Sequence, residues 1–325
     1  MVLLTGATGF LGTRLLLRLL EWKGQVRVIV RDPKALRAKL PEEYRSPGVV
    51  DIFTGDLTKP NIDFEKIYEG IDTIIHNAAI VKVSSERFKP MYAVNVRATE
   101  RMLGAAPNDC YFLQIGSVVA YGPTGLTPVD ENSPFPAKAI SPYEATKREA
   151  VILARKRLDN GLPCGILNPG IIYGPGAKGS LTRFAHWVAH GKLPIFAGRN
   201  SLGSFVHIDD VVDTAIEMLK RRERDEFIAG GESLPMGEFL DLVATATGGK
   251  SPQFDVSPTL LAALTTIPSL LFNLFRSELP FTPTLFRTVN HHWAYSSAKA
   301  ERLLGVRYRN AKTGIDDWVK AGSFQ

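Results

Sequence analysis

Short apolar runs alternate along the first half of the chain with longer stretches in which apolar positions recur every three or four residues. The apolar runs are residues 2–4, 26–30, 49–53, 73–75, 111–115 and 165–167. They have the length of strands and too little polar alternation for a half-exposed sheet, so they predict buried strands. Between them the helical spacing predicts helices over 13–22, 33–39, 64–68, 92–106 and 142–159. Strand and helix in alternation wind into a parallel sheet with helices on both faces. The crossovers are right-handed, so ligands gather at the carboxyl ends of the strands. The predicted fold class is therefore α/β, a Rossmann-type doubly wound parallel sheet with a smaller, irregular α/β C-terminal lobe.

The smaller lobe is predicted because the alternation weakens after Pro169. Residues 173–205 are rich in glycine and turn signals, 206–222 return to a strand and then a helix, and Pro252, Pro258, Pro268, Pro280 and Pro283 punctuate the remainder. The expected division is 1–172 with 206–224 as the doubly wound domain, and 173–205 with 225–325 as the smaller lobe. No repeat or low-complexity tract interrupts either part.

The first strand runs into Thr5-Gly-Ala-Thr-Gly-Phe-Leu-Gly12 and then a helix. Gly6 permits a tight turn, Gly9 removes a Cβ where backbone approaches phosphate, and Gly12 lets helix and strand pack closely. The free N–H groups of the helix start face the negative charge of a pyrophosphate. At the end of the second strand an NAD site would present an acidic residue to the ribose hydroxyls. Here Arg31 comes first, and a guanidinium suits a 2′-phosphate. Asp32 follows, and a shift of one residue would restore the acidic group. The expected cofactor is NADP(H), with NAD(H) as the alternative.

Two further groups carry chemistry. Tyr143 and Lys147 are four residues apart on one helix face. An ammonium beside a phenol lowers the phenol pKa and prepares it to exchange a proton with a carbonyl or carbinol oxygen. Ser117 stands at the carboxyl end of the strand at 111–115, where a hydroxyl can bond the same oxygen.

Composition adds little and excludes several classes. The chain has 325 residues, 45% hydrophobic and 22% charged, which describes an ordinary globular protein. A net charge of +6 is spread without an aromatic-basic face, so nucleic acid is not an expected partner. Cys110 and Cys164 sit in apolar runs, which predicts buried free thiols rather than a disulfide or metal site. With the first strand beginning at residue 2, no leader is expected, and the expected location is cytoplasmic. Residues 256–290 are strongly apolar. They predict the core of the smaller lobe or a lid over a hydrophobic substrate, with membrane contact as another use of the same surface.

The order of glycine loop, Gly55-Asp56-Leu57, His76-Asn77-Ala78-Ala79, Asn95, Ser117, Tyr143/Lys147, Asn168-Pro169-Gly170, Phe205-Val-His-Ile-Asp-Asp210 and Ser297 through Gly305 resembles the extended short-chain dehydrogenase/reductase superfamily over essentially the whole chain. Within it the look is that of the dihydroflavonol-4-reductase and 3β-hydroxysteroid dehydrogenase-like branch. The N-terminal third also resembles thioester and fatty-acyl reductase domains. The resemblance implies that Gly6, Thr8, Gly9, Phe10, Leu11 and Gly12 hold the pyrophosphate, with Arg31 at the adenosine 2′ position. Asp56 and Leu57 would border the adenine, and Ala78 and Ala79 the ribose. Asn95 would bond backbone at the edge of the cofactor site. Pro169, Gly170, Ile171 and Ile172 would lie against the nicotinamide. Tyr143 is implied as acid/base, Lys147 as the holder of the nicotinamide ribose, and Ser117 as the group polarising the substrate oxygen. Homodimerisation through paired helices is implied as well.

Two positions depart from the pattern. Gly116 stands where many relatives carry a further hydroxyl. Gly203 stands where sugar-nucleotide epimerases and dehydratases place an arginine for the diphosphate, and Arg183, Arg199 and Arg287 are the cations that could substitute. The expected activity is hydride transfer between NADPH and an apolar ketone or aldehyde. The alternatives are a nucleotide-sugar epimerase/dehydratase, a thioester or fatty-acyl reductase, and a non-catalytic NADP-binding redox sensor.

Overall fold

In the computed structural model, residues 1–46, 48–81, 88–256 and 291–324 are described. The apolar stretch at 257–290, and Arg287 within it, lies outside them. The main sheet is built from β1 (Val2–Thr5), β2 (Val26–Val30), β3 (Val50–Thr54), β4 (Thr73–His76), β5 (Tyr111–Ile115), β6 (Cys164–Pro169) and, further along the chain, Glu226–Ala229. Its seven strands are all parallel, in the order Glu226–Ala229, β6, β5, β4, β1, β2, β3. The order reverses between β1 and β4, which opens a crevice beyond their carboxyl ends.

Each face of the sheet is closed by a different set of helices. α1 (Phe10–Lys23) packs Leu15, Leu16 and Leu19 on one face, beside Ile208–Arg221 and Ala298–Leu304. α2 (Pro33–Arg37) contributes Leu36 at the rim of the same face. On the other face lie α3 (Phe64–Tyr68), α5 (Ala98–Ala105) and α6 (Pro142–Asp159), with Phe64, Met102 and Val151 among the buried residues. Burial on both faces is why the central strands read as unbroken apolar runs.

The predicted helix at 92–106 is instead α4 (Phe88–Tyr92), a π-helical turn over Ala93–Arg97, and then α5. The extra residue in that turn is invisible to a 3.6-residue period. The smaller lobe is more regular than its sequence suggested. β7 (Ile171–Tyr173), β9 (Leu202–His207) and β11 (Glu232–Pro235) form one sheet, β7 parallel and β11 antiparallel to β9. β8 (Ile195–Ala197) pairs with β12 (Phe254–Val256). α7 (Ser180–Ala189), α9 (Met236–Thr247) and a C-terminal helix, Ala311–Lys320, pack on these around Phe184, Phe205, Phe239 and Trp318.

One boundary needs correcting. α8 (Ile208–Arg221) leads into β10 (Glu226–Ala229), which pairs in parallel with β6 and so completes the main sheet. The division predicted from the sequence gives 225–325 wholly to the smaller lobe, and pairing with β6 moves 226–229 out of it. The apolar run Phe227–Ala229 follows directly on the charged stretch 220–226 and runs into Gly230-Gly231, so it announces no strand without its partner. α10 (Ala298–Leu304) and α11 (Ala311–Lys320) then split, α10 packing on the main core and α11 on the small one. Cys110 and Cys164 are buried and free, as their apolar settings predict.

Candidate active site

The glycine loop lies at the crevice where the strand order reverses. Gly6 has φ +71°, and a Cβ there would come within 2.8 Å of the Ala78 nitrogen at the end of β4. A Cβ on Gly12 would lie 2.0 Å from the Gly6 carbonyl oxygen. Both glycines are required by the protein's own packing. Gly9 would meet only that carbonyl, at 3.2 Å, and it begins α1 with no side-chain cap. The first-turn N–H groups of α1 are thereby left for an anion. Thr8 sits between, its carbonyl accepting from Lys39 Nζ, and Phe10 and Leu11 form the first helical residues.

The loop is pinned to β4 by Thr5. Its Oγ1 accepts from the Asn77 and Ala78 nitrogens at 3.1 and 3.0 Å, so its own proton goes to His76 Nδ1 at 2.8 Å. His76 Nε2 then donates to Thr99 Oγ1 at 2.9 Å, and Thr99 donates to the Asn95 carbonyl. Burial, with Lys147 nearby, lowers the His76 pKa to about 3. The imidazole is a neutral strut. Ala78 and Ala79 follow it, partly exposed at the crevice.

At the adenosine end, Arg31 is exposed just past β2. Asp32 has a different task. Its Oδ1 accepts from the Lys34 and Ala35 nitrogens at 2.9 and 3.2 Å, which caps α2. Asp56 faces Arg31 across this end. Its carboxyl is held below the usual range by hydrogen bonds from Thr58, with the Arg31 charge contributing. Leu57 beside it is buried in the core.

The proposed catalytic residues meet where β5 ends. Ser117 starts a short turn, Val118–Tyr121, and its hydroxyl accepts from the Val119 nitrogen. The Ser117 hydroxyl lies close enough to the Tyr143 phenol to favour its ionised form. Lys147 is 4% exposed, and its Nζ donates to the Ile115 carbonyl at 2.9 Å. The predicted lowering of the phenol is not what this arrangement gives. Burial dominates and pushes Tyr143 up to about 12, with the nearby Ser117 hydroxyl opposing it. Burial also lowers Lys147 to about 8, and its ammonium is turned to a backbone carbonyl.

Asn95 lies in the π-helical turn and is buried. Its amide bonds both backbone groups of Ile80 and the Thr146 hydroxyl, so it shapes the crevice edge and has no group turned to a cofactor. Pro169 ends β6 and Gly170 follows it. A Cβ on Gly170 would come within 2.6 Å of the Ser204 carbonyl oxygen, so the two lobes meet backbone to backbone there. Ile172 packs on the main core and Ile171 on the small one.

Beyond Ile171 opens a cavity of about 160 Å³. Leu181, Phe184, Phe196, Leu202, Gly203, Met236 and Trp293 line it, with His291, Ser180 and Ser201 at its polar points. A Cβ on Gly203 would meet the Phe205 ring at 2.9 Å and Ile171 at 3.2 Å. Arg199 is engaged elsewhere, with both Asp241 oxygens at 3.0 and 2.9 Å and the Pro252 carbonyl at 3.1 Å. Arg183 is exposed on α7 and does not line the cavity.

Sequence reasoning missed Lys39, the cavity residues Trp293 and His291, and the partners of Asn168. The clue to the last was available. Gly116 lacks a hydroxyl because a Cβ there would lie 1.9 Å from Asn168 Oδ1.

The model of the NAD dependent epimerase/dehydratase family matches residues 2–230. A "3 beta-hydroxysteroid dehydrogenase/Delta 5-->4-isomerase" of Mycobacterium tuberculosis is 28% identical over 324 residues, covering 94% of this chain and 85% of that protein. Sterol demethylase protein B of Methylococcus capsulatus is 27% identical over 98% of this chain and 96% of that protein. Among solved structures, a UDP-glucuronic acid 4-epimerase from Bacillus cereus, in complex with UDP-glucuronic acid and NAD, has a TM-score of 0.77 over 98% of both chains at 21% identity. That last likeness is one of fold.

Proposed function

The chain belongs to the NAD dependent epimerase/dehydratase family, within the extended short-chain dehydrogenase/reductase superfamily, and is an NAD(P)-dependent oxidoreductase; from that premise we propose that it exchanges a hydride between NADPH and an apolar ketone or aldehyde. The observation that carries the substrate class is the cavity. It is walled by aliphatic and aromatic side chains, and no described arginine reaches its lining. A diphosphate brought into such a lobe without a cation would lose several kcal/mol of hydration, on the order of the cost of any unpaired buried charge. Arg199 is already paired with Asp241. Relatives whose names carry hydroxysteroid and sterol substrates support the same reading.

The uncapped start of α1 fits a pyrophosphate, and bound NADPH supplies the hydride. Choice of NADPH over NADH is supported by Asp32. Its carboxylate caps α2, so the first side chain past β2 that is available to the 2′ position is the Arg31 guanidinium. Lys39, which follows α2 and donates through Nζ to the Thr8 carbonyl of the glycine loop, adds a second positive charge.

Ser117 and Tyr143 converge on one oxygen. The serine holds the carbonyl, and the phenol protonates it as the hydride arrives. A phenol near 12 is protonated at neutral pH, the form that reduction consumes. Lys147, partly neutral at pH 8, can relay the next proton to it.

The test is a substrate panel. The enzyme is given NADPH with apolar ketones, aldehydes, 3-ketosteroids and acyl thioesters, and separately UDP- and GDP-sugars. Steady NADPH oxidation by an apolar carbonyl is expected, and Tyr143→Phe should lose about 10²–10⁴-fold of it while still binding NADPH. Epimerisation of a nucleotide sugar without net cofactor consumption overturns the reading.

A further inference from the structure

We propose that Glu226, at the start of β10, is the anchor that positions Ser117 through Asn168. The Ser117 backbone nitrogen donates to Asn168 Oδ1 at 3.1 Å, and Asn168 Nδ2 donates to Glu226 Oε1 at 2.7 Å. The same Oε1 accepts from the Tyr121 hydroxyl at 2.5 Å. The other carboxylate oxygen takes Arg155 Nε at 2.6 Å, and Arg155 also reaches the Tyr121 hydroxyl at 3.3 Å. Asn168, Tyr121 and Glu226 are buried.

The turn that carries Ser117 is therefore held at both ends, by Asn168 at its start and Tyr121 at its finish, on a single carboxylate oxygen. Arg155 ties that carboxylate to α6, the helix that bears Tyr143 and Lys147. Charge-assisted bonds in a buried setting are short and directional, so the network fixes the serine relative to the tyrosine. Gly116 belongs to the device, since any side chain there would displace the Asn168 carbonyl. These residues are positioning residues, and the inference rests on the Ser117–Tyr143 chemistry proposed above.

Asn168→Asp tests it. The new carboxylate faces Glu226, and two carboxylates in that position must share a proton. The pair is also faced by Arg155 from α6, Tyr121 from the turn, Cys164 from β6, and Glu131, Asp225 and Lys299 around β10. Below the pair's pKa the shared proton restores the bond, and above it the anchor is broken. The variant should match wild type at low pH and lose about 10- to 100-fold of kcat as pH rises, with NADPH affinity unchanged. Asn168→Asp with Glu226→Gln should remove that new pH limb. Without any substrate, the amide resonance of Ser117 should titrate with the same midpoint in Asn168→Asp and stay fixed in wild type. If Asn168→Asp does not fold, Tyr121→Phe should shift the Ser117 amide resonance and lower kcat with KM unchanged. A Ser117 amide indifferent to these substitutions overturns the proposal. If wild type turns over no carbonyl, the reductase reading fails, and the amide resonance still decides this one.

Discussion

Arg31 and Lys147 are the residues at which charge and function are most directly coupled. Arg31 is exposed and Asp32 is turned into the cap of α2, which is why the proposed NADPH site sets the adenosine 2′ position against a cation. Removing a charge-assisted phosphate contact costs about 1.5–3 kcal/mol. Arg31→Ala should therefore weaken NADPH by about 10- to 150-fold and leave NADH nearly unchanged. Fluorescence titration of both cofactors measures this, and equal losses for the two would remove Arg31 from the 2′ site. Lys147 is an ammonium that burial lowers to about 8. Its unfolded value lies near 10.5, so between about 8 and 10.5 the unfolded chain binds the additional proton and stability rises with pH. Below 8 the full burial cost is present, about 3 kcal/mol before the Ile115 bond offsets part of it. Lys147→Met should accordingly lose turnover and cofactor affinity yet melt no lower than wild type at pH 7. The rise in stability from pH 8 upward should be smaller in the variant than in wild type. A variant that melts much lower would show that the lysine contributes net stability.

The elements of the main sheet were legible because each one is a regular run long enough to show its period. β1 to β6 and α1, α3 and α6 follow directly from buried apolar runs and helical spacing. The π-helical turn was not legible, because one inserted residue leaves the apolar pattern on either side intact while rotating Asn95 into the core. Nor was β10, whose strand character depends on pairing with β6. Ser117, Tyr143 and Lys147 could be picked out by type and spacing, whereas the network behind Ser117 joins residues more than 50 positions apart and has no local signature. Gly116 is where that network touches an element's sequence. Gly116→Ala would place a Cβ 1.9 Å from Asn168 Oδ1. Overpacking of this kind costs about 1–3 kcal/mol, and leaving the Ser117 N–H without its acceptor costs about 1–3 more. Denaturant unfolding should show a drop of at least about 2 kcal/mol. A neutral result would mean that Asn168 can move aside at no cost.

Across the whole molecule the proposed function assigns the reacting groups to the main sheet and the selection of substrate to the smaller lobe. The glycine loop, Ser117 and α6 all belong to the main sheet and its helices. The cavity belongs almost entirely to the smaller lobe and is bordered by Ile171, the first residue of β7, just past the end of β6. His291–Ser297 binds the two together, with Trp293 bridging Gly203 and the Tyr295 hydroxyl donating to the Gly122 carbonyl at 2.6 Å. Substitutions in the cavity wall should thus change which carbonyl is accepted without touching cofactor binding. Leu181 is the clearest case, being partly buried and on the cavity lining. In an apolar pocket one methylene is worth about 1–3 kcal/mol of discrimination. Leu181→Ala should raise kcat/KM for bulkier apolar carbonyls relative to small ones by about 10-fold or more, with NADPH affinity at the wild-type value. Competition between two carbonyls of different size, read as the ratio of products, measures this directly. An unchanged ratio would mean that substrate does not occupy this cavity, and the apolar reading of the site would lose its main support.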